Sequence, residues 1–108
     1  MDAITKENYK SQLKGLTLVE VSGESCANCL TLLPVLSKVI SARDDIKLVH
    51  IEADETTVQF MLDYDVRQVP TVLLMDNGEV FARAVGFQPE EILELWLDAK
   101  IEEHKKTK

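Results

Sequence analysis

Residues 18–36 have the sequence LVEVSGESCANCLTLLPVL, and this stretch decides the fold. An apolar run ends at Gly23, the two cysteines Cys26 and Cys29 follow, and leucines then recur at helical spacing. This order predicts a buried strand that ends shortly before a helix begins, with both cysteines in the first turn of that helix. Because the sequence contains no further cysteine, all thiol chemistry of the chain lies at this junction.

Length and charge limit the class of protein. At 108 residues the chain is long enough to bury a core without a disulfide framework, so we expect one domain over residues 1–108. The net charge of −7 argues against a nucleic-acid partner, since phosphate binding needs clustered Lys and Arg. Because the sequence has no apolar segment long enough for a signal peptide or a membrane span, we expect a cytoplasmic protein with no membrane partner. We also expect a monomer.

Hydrophobic periodicity predicts an α/β fold. Short, nearly continuous apolar runs predict buried strands at residues 16–21, 46–51, 72–75 and 80–85. Helical spacing predicts helices at residues 6–13, 26–42, 55–63 and from Pro89 onwards. The first half is then a right-handed βαβ unit, and Asn77-Gly78 predicts the turn of a β-hairpin.

Each predicted helix has an expected boundary or inner face. Thr5 is the expected N-cap of the first helix. The second helix is expected to bury Cys29, Leu32, Leu33, Leu36, Val39 and Ile40. The third is expected to bury Val58, Met61 and Leu62, and the last Ile92, Leu93, Trp96 and Ala99. Residues 102–108 are expected to fray.

The order of these elements, with four short motifs, resembles the thioredoxin family. The motifs are Cys26 and Cys29 with Pro34 five residues later, Val69-Pro70-Thr71, Asn77-Gly78, and Gly86. The resemblance implies a thioredoxin-like fold, a central mixed β-sheet with a parallel βαβ half and an antiparallel hairpin half, flanked by helices. The amino-terminal strand is expected to be short or missing. The resemblance also implies that Pro70 is cis and faces the disulfide, and that the backbone beside it pairs with substrate.

The chain departs from the family pattern around the cysteines. Ser25 replaces a tryptophan, Ala27 and Asn28 replace Gly-Pro, Leu30 replaces a basic residue, and His50 replaces a lysine that commonly faces a buried acid. These differences leave the reaction type intact and bear on substrate range, redox potential and recognition by a reductase. Ser25, Val69 and Pro70 are the expected substrate contacts.

The position of the cysteines at a helix start assigns their roles. Residues three apart in a first turn lie about 5 to 6 Å from each other, within reach of a disulfide. Unpaired N–H groups and the helix dipole stabilise a thiolate on Cys26, whereas Cys29, one turn deeper, stays protonated. We therefore expect Cys26 to attack a substrate disulfide and Cys29 to resolve the mixed disulfide.

The predicted function is a thiol–disulfide oxidoreductase of the thioredoxin type. Its expected partners are protein disulfide substrates and a reductase or small-thiol electron donor that recycles it. We expect it to need no cofactor. Its place is then in electron transport to protein disulfides and in the redox balance of the cell.

Glu20 interrupts an apolar strand six residues before Cys26, where the resemblance implies a buried carboxylate below the second cysteine. Such a carboxylate accepts the proton of Cys29, directly or through a water. The alternative is a solvated Glu20 at a sheet edge. His50 is the expected neighbour on the adjacent strand, where it makes the protonation of the site sensitive to mildly acidic pH.

Other interpretations of the cysteine pair stay open. Cys26 and Cys29 could be inert core residues, and two copies of the chain could share an iron–sulfur cluster. We expect no metal site within the chain, since a zinc ion requires four ligands and only His50 and His104 are further soft candidates besides the two cysteines. The rival function is a redox-inactive or partner-dedicated binding module of the same fold, which Ser25 and Leu30 favour. A reductant specialised for one partner is a third hypothesis.

Overall fold

In the computed structural model, which describes residues 2–5 and 7–107, a central mixed β-sheet is flanked by helices on both faces. The strands are β1 (Asp2–Ala3), β2 (Leu16–Gly23), β3 (Lys47–Ala53), β4 (Thr71–Asp76) and β5 (Glu79–Val85). The helices are α1 (Tyr9–Gln12), α2 (Ala27–Ser41), α3 (Val58–Asp63) and α4 (Glu90–Lys106). The sheet order is β1-β3-β2-β4-β5, parallel among β1, β3 and β2 and antiparallel for β4 and β5. The predicted fold class is confirmed, with a two-residue amino-terminal strand.

The central strand β2 separates two apolar cores. Successive side chains of a strand point to opposite faces, so Leu18 packs in the core beneath α2 and α4, while Val19 and Val21 pack in the core beneath α1 and α3. Burial on both faces explains why the strand has a nearly continuous apolar sequence. By the same alternation Glu20 points to the face that α2 covers.

The predicted hairpin turn is confirmed. Asn77 and Gly78 have φ angles of 51° and 85°, as a two-residue turn that follows the twist of the strands requires. The turn is also tied to the start of β2, because the Gly15 N–H donates to Asn77 Oδ1 at 2.7 Å and the Asn77 N–H donates to the Gly15 carbonyl at 3.1 Å.

The first helix is shorter than predicted. It begins at Tyr9, with Asn8 at the N-cap, so the prediction that Thr5 caps it is wrong. The Thr5 N–H instead donates to Asn8 Oδ1 at 2.7 Å, and this turn occupies the backbone where the helix was expected to begin. Residue 6, the predicted first residue, lies outside the described residues.

The third helix buries a residue that the periodicity missed. Val58 and Leu62 are 51% and 70% exposed, and the fully buried side chain is Phe60. Phe60 packs edge-to-face on Tyr9, with ring centroids 5.4 Å apart, and against Tyr64 at 4.8 Å. A helix of six residues is too short for its own periodicity to set its orientation, and this aromatic cluster sets it instead.

The last helix is also rotated from its predicted phase and is longer. Leu93 is buried as predicted, but the other buried positions are Leu97 and Ile101, whereas Ile92 and Ala99 are exposed. The segment expected to fray is helical to Lys106. Its end is docked on the hairpin, because the ring of His104 stacks on Phe81 at 3.9 Å and its Nε2 lies 2.9 Å from Asp76 Oδ2.

Phe60→Ala should lower the free energy of unfolding by about 3–5 kcal/mol, because it empties the centre of the aromatic cluster. Leu62→Ala on the same helix is the matched control and should change it by less than about 0.5 kcal/mol. Urea unfolding followed by circular dichroism measures both values. Equal losses in the two variants would contradict the orientation of α3.

Candidate active site

The two cysteines form a disulfide at the beginning of α2. Cys26 is the N-cap residue, and its Sγ accepts a hydrogen bond from the Cys29 N–H at 3.2 Å. The two Cα atoms are 5.3 Å apart, within the predicted range. Cys29 is 3% exposed whereas Cys26 is half-buried, so solvent reaches mainly the first residue of the pair.

The turn between β2 and α2 has an unusual backbone at the residue before the first cysteine. Ser25 has a φ of +57°, in the left-handed region that residues other than glycine rarely adopt. Such a conformation costs about 1–2 kcal/mol and persists where the surroundings impose it, often at functional sites. After this residue the backbone of Cys26 is extended, and the Cys26 sulfur points back over the first turn of the helix.

The segment before β4 lies against this junction. The Val69-Pro70 peptide bond is cis, as the family resemblance implies, and the Pro70 carbonyl accepts from the Gly86 N–H at 2.9 Å. Gly23, the last residue of β2, allows the close approach, because a Cβ there would stand 2.9 Å from Cγ2 of Val69. The glycine therefore seats Val69 and Pro70 beside the strand that leads to the cysteines.

Four polar side chains form a cluster at the carboxyl ends of β2 and β3, here called the Glu20–His50 cluster: Glu20, Ser22, His50 and Glu52. Glu20 is fully buried, and the Ser22 hydroxyl lies 2.7 and 2.5 Å from its two carboxylate oxygens. His50 Nδ1 lies 2.7 Å from Glu20 Oε1, and His50 Nε2 lies 2.9 Å from Glu52 Oε1. The expected contact of Glu20 with His50 is present, and the alternative of a solvated Glu20 at a sheet edge is wrong, because β2 lies inside the sheet.

Burial raises the pKa of Glu20 above its ordinary value. The hydrogen bonds from Ser22 and His50 and the charge of His50 act in the opposite direction, and burial is the larger effect. Glu20 therefore holds a proton at a higher pH than an exposed glutamate, as a proton acceptor for a thiol requires.

A cavity of about 370 Å³ lies beside the disulfide. Both cysteines line it, together with Leu30 and Leu33 from α2 and with His50 and Glu52 from β3. Ser22, Gly23, Ser25 and Ala27 complete its wall. The cavity thus brings the predicted redox pair and the expected histidine to one space, whereas Glu20 does not line it and contacts two residues that do, Ser22 and His50.

Sequence reasoning missed Ser22 and Glu52. The period of two along a strand could have found them, since Ser22 follows Glu20 by two residues and Glu52 follows His50 by two. The parallel register then sets Glu20 opposite His50 and Ser22 opposite Glu52. Four polar residues at these positions of otherwise apolar strands indicate a polar cluster on one face.

In residues 2–5 and 7–107, no three His, Cys, Asp or Glu side chains are grouped so that they could hold a metal ion. None of the helices described has the length and apolar content that a membrane crossing requires.

A mixed sheet whose first long helix begins at a disulfide-bonded Cys-x-x-Cys pair, with a cis proline before the hairpin, defines a thioredoxin-fold thiol–disulfide oxidoreductase. The model of the thioredoxin family matches residues 1–99, and the chain belongs to this family. Members of the family act on protein disulfides and are reduced by a reductase.

Curated relatives and a solved structure agree with this assignment. The chain is 33% identical to thioredoxin of Bacillus subtilis over 92 residues, covering 83% of this chain and 88% of the relative. It is 32% identical to thioredoxin of Chlamydia pneumoniae over 91 residues, with the same coverage. Thioredoxin f2 of Chlamydomonas reinhardtii has the same fold, with a TM-score of 0.78 at 19% identity, covering 88% of this chain and 92% of that one. The predicted enzyme class, a thiol–disulfide oxidoreductase, is confirmed.

Glu20→Gln should make the stability of the oxidised protein less dependent on pH. Since the folded-state pKa of Glu20 is raised, the carboxyl ionises first in the unfolded chain, and the wild type loses stability as pH rises from about 4 through that folded pKa. The difference in unfolding free energy between variant and wild type should therefore grow in favour of the variant toward neutral pH. Urea unfolding over a pH series measures it. Glu24→Gln, at an exposed position, is the control, and a constant difference for Glu20→Gln would contradict the raised pKa.

Gly23→Ala should destabilise the protein by about 1–3 kcal/mol, because the new Cβ would overlap Val69. If that contact is the cause, the same substitution in a Val69→Ala background should cost at least about 0.5 kcal/mol less. Urea unfolding of the two single variants and the double variant gives this difference. Purely additive costs would show that Gly23 does not seat Val69.

Proposed function

We propose that the chain reduces disulfide bonds of other proteins, with Cys26 as the nucleophile and Cys29 as the resolving thiol. The observation that carries this assignment is the unequal environment of the two residues. Cys26 is half-buried and its sulfur accepts a backbone N–H, which stabilises a thiolate, while Cys29 is 3% exposed. A thiolate at the surface meets a protein substrate, and a buried thiol is held in reserve for the second step.

The reaction transfers two electrons in two exchanges. The Cys26 thiolate attacks one sulfur of the substrate disulfide, and the other substrate sulfur leaves as a thiolate. Cys29 then loses its proton and attacks the Cys26 sulfur, which releases the second substrate thiolate and forms the Cys26–Cys29 disulfide. Glu20 is the proton acceptor for Cys29, since burial raises its pKa toward the range that a base for a thiol needs.

The substrate contacts we assign are Ser25, Val69 and Pro70. The Val69-Pro70 backbone lies against the β2–α2 junction, where it can pair with an extended substrate chain. Ser25, directly before Cys26, offers the substrate a small polar side chain at the rim of the site. Leu30, directly after Cys29, is 79% exposed and offers an apolar contact that a basic residue would not.

We place this activity in the cytoplasm, where a reductase or a small-thiol donor returns the disulfide to the dithiol. A reducing compartment supports the direction of transfer, because a net reductant must be kept reduced between turnovers. The chain acts there as a single domain and a monomer, in electron transport to protein disulfides. No nucleic acid or membrane partner is assigned, in keeping with its net charge of −7.

Reduction of a disulfide-containing test protein, with dithiothreitol as the electron donor, tests this function. The wild type should accelerate the reaction, and Cys26→Ser should abolish the acceleration. Reduced Cys29→Ser, freed of dithiothreitol and then mixed with the test protein, should accumulate a mixed disulfide that mass spectrometry detects. A trapped mixed disulfide on Cys29 in the Cys26→Ser variant would reverse the two roles. A wild type without turnover that binds a partner equally well as Cys26→Ser would support the binding module instead.

A further inference from the structure

The contacts of His50 show how many protons the Glu20–His50 cluster can accommodate. Its Nδ1 lies 2.7 Å from a Glu20 oxygen and its Nε2 lies 2.9 Å from a Glu52 oxygen. A neutral imidazole has one N–H, and ionised carboxylates can only accept. Both contacts are hydrogen bonds only if the imidazole is cationic or one carboxyl is protonated. The arrangement of the cluster therefore suits one proton more than a neutral histidine between two carboxylates has.

The cavity shows where that proton can enter. His50 and Cys29 line the same space of about 370 Å³, while Glu20 is fully buried and does not line it. A water occupies about 30 Å³ of liquid, so the space has room for several, and its polar wall gives them partners. His50 and Ser22 line the cavity and both contact Glu20, so a proton that leaves the Cys29 sulfur meets one of these two side chains first. Of the two, the imidazole is the base that can take the proton up.

We propose that His50 is the proton carrier of the second exchange: it takes the proton of Cys29 through water in the cavity and passes it to Glu20. This inference rests on the proposed roles of Cys26 and Cys29 and adds a residue to them. Both contacts of His50 are present in the protein that carries the Cys26–Cys29 disulfide, the state in which Cys29 has given its proton away.

The proton balance follows. In the reduced protein the cluster lacks the additional proton, and Cys29 is a thiol. When Cys29 attacks the mixed disulfide, its proton moves through cavity water to Nε2 of His50, and a proton on Nδ1 moves to Glu20. The two substrate thiolates take up two protons, one that the cluster later releases and one from solvent. Two electrons pass from the cysteine pair to the substrate disulfide.

The pH dependence of the second exchange follows from the groups around His50. Among the described residues, these are Glu20 from β2, Glu52 from its own strand, Cys26 at the N-cap of α2 and Cys29 in its first turn, while Ala3 lies opposite it on β1. Below the apparent pKa of this coupled cluster it is already protonated and cannot accept, so the second exchange should accelerate as pH rises through that value.

Rapid mixing of the reduced protein with excess dithiobis(nitrobenzoate) separates the two exchanges. The first release of thionitrobenzoate reports attack by Cys26 and depends on reagent concentration, and the second, independent of it, reports resolution by Cys29. His50→Gln should slow the second release at least about tenfold at neutral pH and remove its low-pH inflection. Glu20→Gln should also slow the second release, because it removes the carboxylate that receives the proton from His50. His104→Gln, at the other histidine of the sequence, is the matched control and should leave both releases unchanged.

His50→Ala with added imidazole separates a proton carrier from a structural residue. Imidazole should restore the second release of that variant in proportion to its concentration and should not affect His104→Ala. The proposal is overturned if His50→Gln keeps the wild-type rate and inflection, which would mean that Glu20 acts without it. It is equally overturned if both releases slow together without imidazole rescue. Since the reagent is a small disulfide, a wild type that shows both releases and fails on protein disulfides would refute the proposed function alone.

Discussion

The hydrogen bond from the Cys29 N–H to the Cys26 sulfur is the contact on which the rest of the site depends. A helix begins with N–H groups that have no partner inside the helix. Here the partner is the sulfur itself, so one contact fixes where α2 begins, how far apart the two Cα atoms lie, and which sulfur carries negative charge best. A serine or aspartate cap would begin the helix equally well and could not exchange a disulfide.

The burial of Glu20 is the second constraint, because an unpartnered carboxylate in the middle of a sheet would cost several kcal/mol. Both partners lie on the same face as Glu20: Ser22 is two residues further along β2, and His50 is opposite Glu20 on β3. From there the two strands run toward the edge of the sheet where helix α2 begins. The topology that stabilises the acid therefore also brings it near the cysteines. In a βαβ unit the loop after the first strand and the end of the second strand meet at one edge, which makes that edge a natural site for chemistry.

The sequence was sufficient for the features that local chemistry decides. The strands, the Asn77-Gly78 turn, the beginning of α2 and the burial of Cys29 follow from periodicity and from residue types with strong backbone preferences. The inner faces of α3 and α4 did not follow, because Phe60 and Leu97 are buried by partners distant in sequence. The same is true of the contact of Gly23 with Val69, since no local pattern tells a glycine needed for close approach from a glycine that ends a strand.

The two contacts of residue 50 favour a histidine at this position. A lysine ammonium at this place would donate to both carboxylates and offset one of their two negative charges, but it has no acceptor and could take up no proton from a thiol. An imidazole accepts a proton at one nitrogen while it gives one up at the other. It can therefore contact both Glu52 at the rim and Glu20 in the core and still transfer a proton between the cavity and Glu20. The side chain that holds the buried acid in place is then also the path by which that acid exchanges protons with the cavity.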